Sequence, residues 1–325
     1  MTDLTKPAFA PARAFISEDL LQVGYRLLAA LLICIALAIL SGSFLTIGNI
    51  LNVLRQTSLL FFIASGLTLV VLTGGLDLSV GANVALSACL AGTLMHQTGS
   101  TSLGVLVALG CGGLIGLLNG LMVTALRIPS FIATYGMLWV LNGLAYWYMA
   151  GEIVHGFPPG FRQIGSGYLL GLPTPVYLLL VFLAIGTIFA QRTIWGQEIY
   201  AIGANPVAAR LSGIPLTRRL LLVYAVSGTM AGLASVIFLA RLNSAEADIG
   251  ESLTLPAIAA VLIGGTSLFG GVGTIFGTFV GALILTLVLN GMNLLSVNAS
   301  WQPLVTGLIV ILAVWLDMAT RGRER

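Results

Sequence analysis

One carboxylate stands apart from every other ionisable group in the chain. Asp77 lies in Thr73-Gly74-Gly75-Leu76-Asp77-Leu78-Ser79-Val80-Gly81, between the charge-free runs 56–76 and 78–126. An acid set among apolar residues is costly and usually faces a polar cavity or a partner. Two roles fit it. It can line a solute path, or it can cap the following helix by accepting backbone N–H groups at the N-terminus. A proton relay would need a second buried acid or histidine, and none accompanies it. The polar side chains in the neighbouring apolar runs are uncharged: Ser79, Asn83, Asn119, Thr134, Tyr135, Asn142, Asn290 and Asn293. Amides and hydroxyls exchange hydrogen bonds without binding charge, which suits a neutral, hydroxyl-rich solute better than an ion. Each alone is equally explained by ordinary bonding between helices, worth ~0.6 kcal/mol. Asp77, Ser79, Asn83, Asn119, Thr134 and Asn142 form the candidate translocation set.

The nucleophiles and metal-binding types do not assemble into a reaction centre. Cys34, Cys89 and Cys111 all lie in apolar stretches, with no CxxC and no Cys/His pairing of metal-site spacing, and behave as small hydrophobes. His96 and His155 fall in or near loops without ligand spacing. No Ser/Lys or paired-Asp arrangement sits at matched depth, so neither a catalytic residue nor a metal site is expected. No GxxxxGK[ST] occurs, so the chain cannot cradle ATP phosphates by the usual loop.

A second locus lies in the stretch Thr193–Ile214. Asn205 suits a helix N-cap, Pro206 the first helical position and Gly213 the C-terminal stop. Val207, Arg210 and Leu211 share a face, while Ala208, Ala209 and Ser212 keep the helix slim. So short an amphipathic helix buries too little apolar surface to hold itself on lipid. Docking into a groove of a partner protein is the better reading.

The elements that position these residues follow from composition. The chain has 325 residues, 58% hydrophobic and only 8% charged, with a mean hydropathy of +1.04. A soluble domain carries ~25% charged residues, so this chain cannot cover a water-facing surface, and a disordered chain would be more polar still. The net charge of +3 does not mark a nucleic-acid binder, because Lys6 is the only lysine and the arginines are scattered. Seven uncharged runs are long enough to cross a bilayer: 27–54, 56–76, 78–126, 128–151, 163–191, 220–240 and 252–316. The third is divided by a polar stretch at 96–102. The last is divided at the glycine cluster 264–273 and again at 296–300.

The sequence therefore predicts an all-α polytopic membrane protein with about ten transmembrane helices. The spans fall roughly at 23–42, 57–74, 79–96, 103–126, 129–150, 174–191, 219–240, 254–270, 273–295 and 301–318. They form one transmembrane domain, 23–320, between a cytoplasmic tail 1–22 and a second at 321–325, with a cytoplasmic loop at 192–218. With the N-terminus inside, eleven of the 14 lysines and arginines fall on the cytoplasmic side. Only Arg55, Arg162 and Arg241 fall outside, as the positive-inside rule requires. Residues 1–22 lack the apolar stretch of a signal peptide, so the first span is expected to be an uncleaved anchor.

Glycines recur every four residues at Gly112, Gly116, Gly120 and at Gly273, Gly277, Gly281, as close helix packing requires. The pattern GGxxLxxG occurs twice, at 74–81 and at 264–271, and interrupts an apolar run both times. Broken helices in internal repeats are common in transporters.

Four segments together resemble the membrane permease subunits of ribose-type ABC sugar importers. They are the 74–81 glycine stretch, Ile128-Pro129-Ser130-Phe131-Ile132-Ala133-Thr134, the inner loop around Asn205, and Leu262–Thr274. The resemblance implies an ABC importer permease fold of about ten helices, with both termini cytoplasmic, in the bacterial inner membrane. It implies work beside a second permease copy, a cytoplasmic ABC ATPase subunit that alone binds ATP-Mg, and a periplasmic sugar-binding protein. Coupling to the ATPase would pass through Gly203, Asn205, Pro206, Ala208, Arg210 and Gly213. The cargo would be a monosaccharide, a related polyol or autoinducer-2. An ABC permease for a nucleoside or branched-chain amino acid shares the architecture. An ion-coupled secondary transporter is the other alternative.

Overall fold

The computed structural model describes residues 12–321, so Lys6, Arg323 and Arg325 of the expected tails lie outside the described residues. The described residues begin with helix α1 (Ala12–Leu40), which already occupies half of the expected N-terminal tail. It continues through α2 (Ile47–Leu72), α3 (Val80–Thr98), α4 (Thr101–Thr124) and α5 (Ser130–Met149). A short connecting segment follows: strand β1 (Val154–His155), helix α6 (Pro159–Ser166) and a hairpin of β2 (Tyr168–Leu169) and β3 (Leu172–Pro173). Then come α7 (Thr174–Arg192), α8 (Ile194–Ala204), α9 (Pro206–Leu211) and α10 (Leu216–Leu242). The chain closes with β4 (Ser244–Ala245), α11 (Thr254–Ile263), α12 (Ile275–Leu294), a 3₁₀ turn (Ala299–Trp301) and α13 (Gln302–Arg321). Strand β4 pairs antiparallel with β1, tying the α5–α7 and α10–α11 connections together.

The protein is an all-α polytopic membrane protein. Among the described residues, six helices are long and apolar enough to cross a membrane: Val23–Leu40 of α1, then α2, α4, α7, α10 and α12. Helix α11 has ten residues, about 15 Å at 1.5 Å per residue, half of a ~30 Å hydrocarbon layer.

Polar caps set many helix starts. Thr46, Ser100, Thr193 and Thr274 accept backbone N–H groups at the starts of α2, α4, α8 and α12. The Thr46 cap explains why α2 starts ten residues before the expected span at 57 and carries Arg55 within it. The Arg55 guanidinium lies 5.0 Å from the centre of the Tyr168 ring, a cation–π contact, while its Nε and Nη2 are buried without a hydrogen-bond partner. In the other direction, α11 ends at Ile263 rather than near 270. Gly264 closes it and Gly265 turns the chain at φ +77°.

The framework is built on glycine. Added side chains at Gly112 and Gly116 of α4 would strike the Gly228 carbonyl and the Tyr224 carbonyl of α10. In return, one at Gly228 would meet the Gly116 nitrogen at 2.7 Å. Gly277 and Gly281 of α12 pack in the same way on Gly264 and Ala260 of the α11 segment. Both glycine stripes thus join helices within one chain. Helix α2 runs through the centre, buried on every side from Thr57 to Leu72.

Candidate functional site

The segment 73–79 is not helical, so its backbone polar groups need partners from elsewhere. Side chains supply them. The Ser130 hydroxyl accepts from the Leu76 N–H (3.2 Å) and the Thr134 hydroxyl accepts from the Leu78 N–H (3.1 Å). Thr134 also donates to the Leu76 carbonyl (3.2 Å). The Ser130-Phe131-Ile132-Ala133-Thr134 opening of α5 is therefore a clamp on the broken segment.

Asp77 is 1% exposed. Its carboxylate accepts from the Ser79 N–H (3.0 Å) and the Ser79 hydroxyl (2.7 Å), with Asn119 of α4 and Ser227 of α10 each at 3.4 Å. Asn119 donates to the Ser79 hydroxyl at 2.7 Å. The acid holds the chain at the start of α3 and ties three helices together. Asn83 bonds the Gly112 carbonyl (3.2 Å) and the Ser87 hydroxyl (3.0 Å), at the α3–α4 contact.

The start of α3 meets the start of α11. The Gly81 N–H donates to the Thr254 hydroxyl (3.2 Å), and that hydroxyl reaches the Leu78 carbonyl at 3.4 Å. A side chain at Gly250 would strike the Gly81 carbonyl, so the two backbones are in contact. Beside this meeting point opens a cavity of about 370 Å³. Leu78 and Ala82 form one wall, Tyr135, Leu138, Trp139 and Asn142 of α5 the second, and Gly250, Glu251, Thr254 and Leu255 the third. The volume lies in the range of small-molecule sites. Glu251 accepts a hydrogen bond from the Tyr146 hydroxyl at 2.8 Å. The Asn142 Oδ1 atom is buried with no hydrogen-bond partner.

Of the six candidate translocation residues, Asn142 lines this cavity. Asp77, Ser79 and Asn119 form one buried network behind it, with Thr134 and Asn83 bracing the same wall. Trp139, Glu251 and Thr254 were not legible as site residues. Thr254 and Glu251 reach the cavity only because the 243–253 connection folds back along α3, from Ala245 beside Gly92 to Gly250 beside Gly81.

The stretch 193–214 forms two helices, α8 and α9, separated by Asn205 in an extended conformation. The Asn205 side chain accepts from the Val207 and Ala208 N–H groups at 3.0 Å each, Pro206 starts α9, and Gly213 turns the chain at φ +82°. Val207 and Leu211 are 67% and 84% exposed, with Pro206, Ala208 and Arg210 exposed beside them. Arg219 is engaged within the chain, paired with Glu198 and lying 5.0 Å from the centre of the Trp195 ring. Helix α8 is seated by glycine. A side chain at Gly203 would fall on the Leu72 carbonyl, and Gly271 N–H donates to that same carbonyl at 2.9 Å. Tyr200 donates to the Gly273 carbonyl at 2.8 Å. The two GGxxLxxG segments touch here, since a side chain at Gly270 would meet the Gly74 nitrogen at 2.7 Å. The glycine motifs and the stretch 193–214 thus converge on one junction at the end of α2.

A polytopic helical chain with interrupted helices, a half-open cavity beside them and a capped helix projecting from one connection is a membrane transport subunit. Residues 49–314 match the permease component family of branched-chain amino acid transport systems, and the chain belongs to that family. It is 41% identical over 310 residues to the ribose import permease protein RbsC of Escherichia coli (strain K12), covering 94% of this chain and 96% of that protein. RbsC of Bacillus subtilis (strain 168) is 41% identical over 292 residues, covering 89% and 91%. The galactose/methyl galactoside import permease protein MglC of Salmonella typhimurium is 33% identical over 315 residues, covering 91% and 94%. No solved structure matches the chain.

Proposed function

We propose that this chain is the permease subunit of a bacterial ABC importer that moves a monosaccharide or related polyol across the inner membrane. The observation that carries the reading is the exposed, capped α9 on a transport chain without an ATP-binding loop. Helix α9 enters a groove of a cytoplasmic ATPase, which alone holds ATP-Mg. A periplasmic binding protein delivers the sugar to the opposite face, beside the short β1–β4 pair and α6. A second permease copy, identical or related, completes the gate. The ten crossings are α1–α5, α7, α10, the segment 243–263 that folds back along α3 and ends in α11, α12 and α13, with both termini cytoplasmic. The charge distribution supports this, with Arg127, Arg192, Arg210, Arg218 and Arg219 on one side.

Closure of the ATPase moves α9. Asn205 and Gly203 pass the motion through α8 to the end of α2 and the two glycine segments that meet there. The junction shifts the wall that Asp77, Ser79, Asn119, Asn83 and Thr134 hold together, and the cavity beside Asn142 opens first outward and then inward. The solute drives such a switch only through different affinities for the two states.

The test is reconstitution of the chain with the ATPase and binding protein of a ribose-type importer, followed by uptake of labelled D-ribose, D-galactose and L-leucine into vesicles. Sugar uptake that requires ATP and persists with an uncoupler is expected. Leucine uptake alone would assign the chain an amino acid cargo, and uptake without the ATPase that collapses with an uncoupler would make it an ion-coupled carrier.

A further inference from the structure

Helix α5 carries an unexplained line of aromatic rings. Phe131, Tyr135 and Trp139 are 54%, 47% and 62% exposed, and they follow one another at intervals of four residues. Four residues of helix advance about 6 Å. The ring centres are spaced accordingly, at 6.0 Å from Phe131 to Tyr135 and 6.3 Å from Tyr135 to Trp139. Interfacial aromatic belts sit at helix ends. Tyr135 and Trp139 sit in the body of α5, and both line the cavity. One turn further on is Asn142, whose buried Oδ1 lacks a donor. A buried acceptor left unpaired is costly, so the site is completed by a hydroxyl or amine that enters it.

The charges around the cavity narrow that choice. The start of α3 would otherwise attract a carboxylate, but Asp77 already occupies it. Glu251 places a carboxylate on the cavity wall. No lysine, arginine or histidine is among the residues lining the cavity. An entering carboxylate would meet the Glu251 acid and no cation. A neutral ring with hydroxyls on its edge and C–H groups on its face meets none of these penalties. The C–H groups carry partial positive charge and face the negative surface of an aromatic ring.

We infer that Trp139, Tyr135 and Phe131 form a stacking rail for a neutral sugar ring, with Asn142 accepting a sugar hydroxyl at its upper end. The inference rests on the proposed sugar import and assigns residues to it. The sugar stacks on Trp139 in the cavity and leaves ring by ring toward Phe131, while Glu251 disfavours acidic solutes.

The test uses the complete importer in vesicles, with D-ribose and D-galactose as probes. Trp139→Phe keeps a ring face, and Trp139→Leu keeps apolar volume without one. The stacking increment corresponds to about two- to tenfold, so kcat/KM for uptake should fall by that factor in Trp139→Leu and recover in Trp139→Phe. Tyr135→Leu should behave as Trp139→Leu does, which guards against one variant failing to assemble. Asn142→Ala should raise KM, and Glu251→Gln should admit D-ribonate better than the unaltered protein does. Equal uptake by Trp139→Leu and Trp139→Phe, with the unaltered importer active, would overturn the rail alone. An unaltered importer that moves neither sugar with ATP would overturn the import reading on which it rests.

Discussion

Gly203 offers the sharpest perturbation, because its environment is backbone on every close side. Replacing it with alanine adds one methyl group that falls on the Leu72 carbonyl at the end of α2, with the carbonyl carbon 3.0 Å away and the Gly271 nitrogen also in contact. Neither neighbour is the tip of a flexible side chain, so no rotamer change relieves the overlap. The helix must retreat or the Gly271-to-Leu72 hydrogen bond must break. Overpacking costs about 1–3 kcal/mol, and a buried backbone group left unpaired about 1–3 kcal/mol more. The sum, roughly 2–6 kcal/mol, is far above the usual effect of one methyl group. The assay has two parts. Thermal unfolding of the purified chain in detergent should show a lower midpoint for Gly203→Ala. In the assembled importer, ATP hydrolysis should lose its stimulation by sugar-loaded binding protein. Gly110→Ala and Gly143→Ala are the controls, since added methyl groups there meet nothing within 4 Å and should leave stability unchanged or slightly raised. If Gly203→Ala unfolds and couples as these controls do, the close seating of α8 on α2 is wrong, and with it the route from α9 to the cavity wall.

Other expectations follow from single contacts. Asn205→Ala removes the acceptor of two N–H groups and should weaken α9 by about 1 kcal/mol, reducing coupling while the chain still inserts; Asn205→Asp should restore it. Gly228→Ala drives a methyl group onto the Gly112 carbonyl and the Gly116 backbone of α4 and should lower the unfolding midpoint by an amount matching about 1–3 kcal/mol. Thr134→Val keeps shape but deprives the Leu78 N–H of its partner, and should cost about 1–3 kcal/mol. Thr134→Ser should cost much less. Equal unfolding of Thr134→Val and Thr134→Ser would remove the clamp from the account.

The class of protein was legible from the amino-acid sequence because a bilayer imposes a one-dimensional rule. Uncharged runs of sufficient length must become helices, since hydrocarbon satisfies no open backbone group. The helix start at Asn205 and Pro206 was legible for a related reason, because capping is settled within three residues. The spacing of Gly112 and Gly116 likewise announced a close helix contact, though not its partner at Gly228. What the sequence could not show is which residues meet. Asp77 reads as either a path residue or a cap, and only the positions of Ser79, Asn119 and Ser227 place its carboxylate at the start of α3. Arg55 looked like a boundary, but α2 runs through it and its guanidinium lies against the ring of Tyr168, far along the chain. Thr254 and Glu251 reach the cavity because a connection more than 160 residues away folds back to the start of α3. Periodicity and capping are local and survive in the order of residues. A cavity is made by segments distant in the chain, and only their packing decides where it opens.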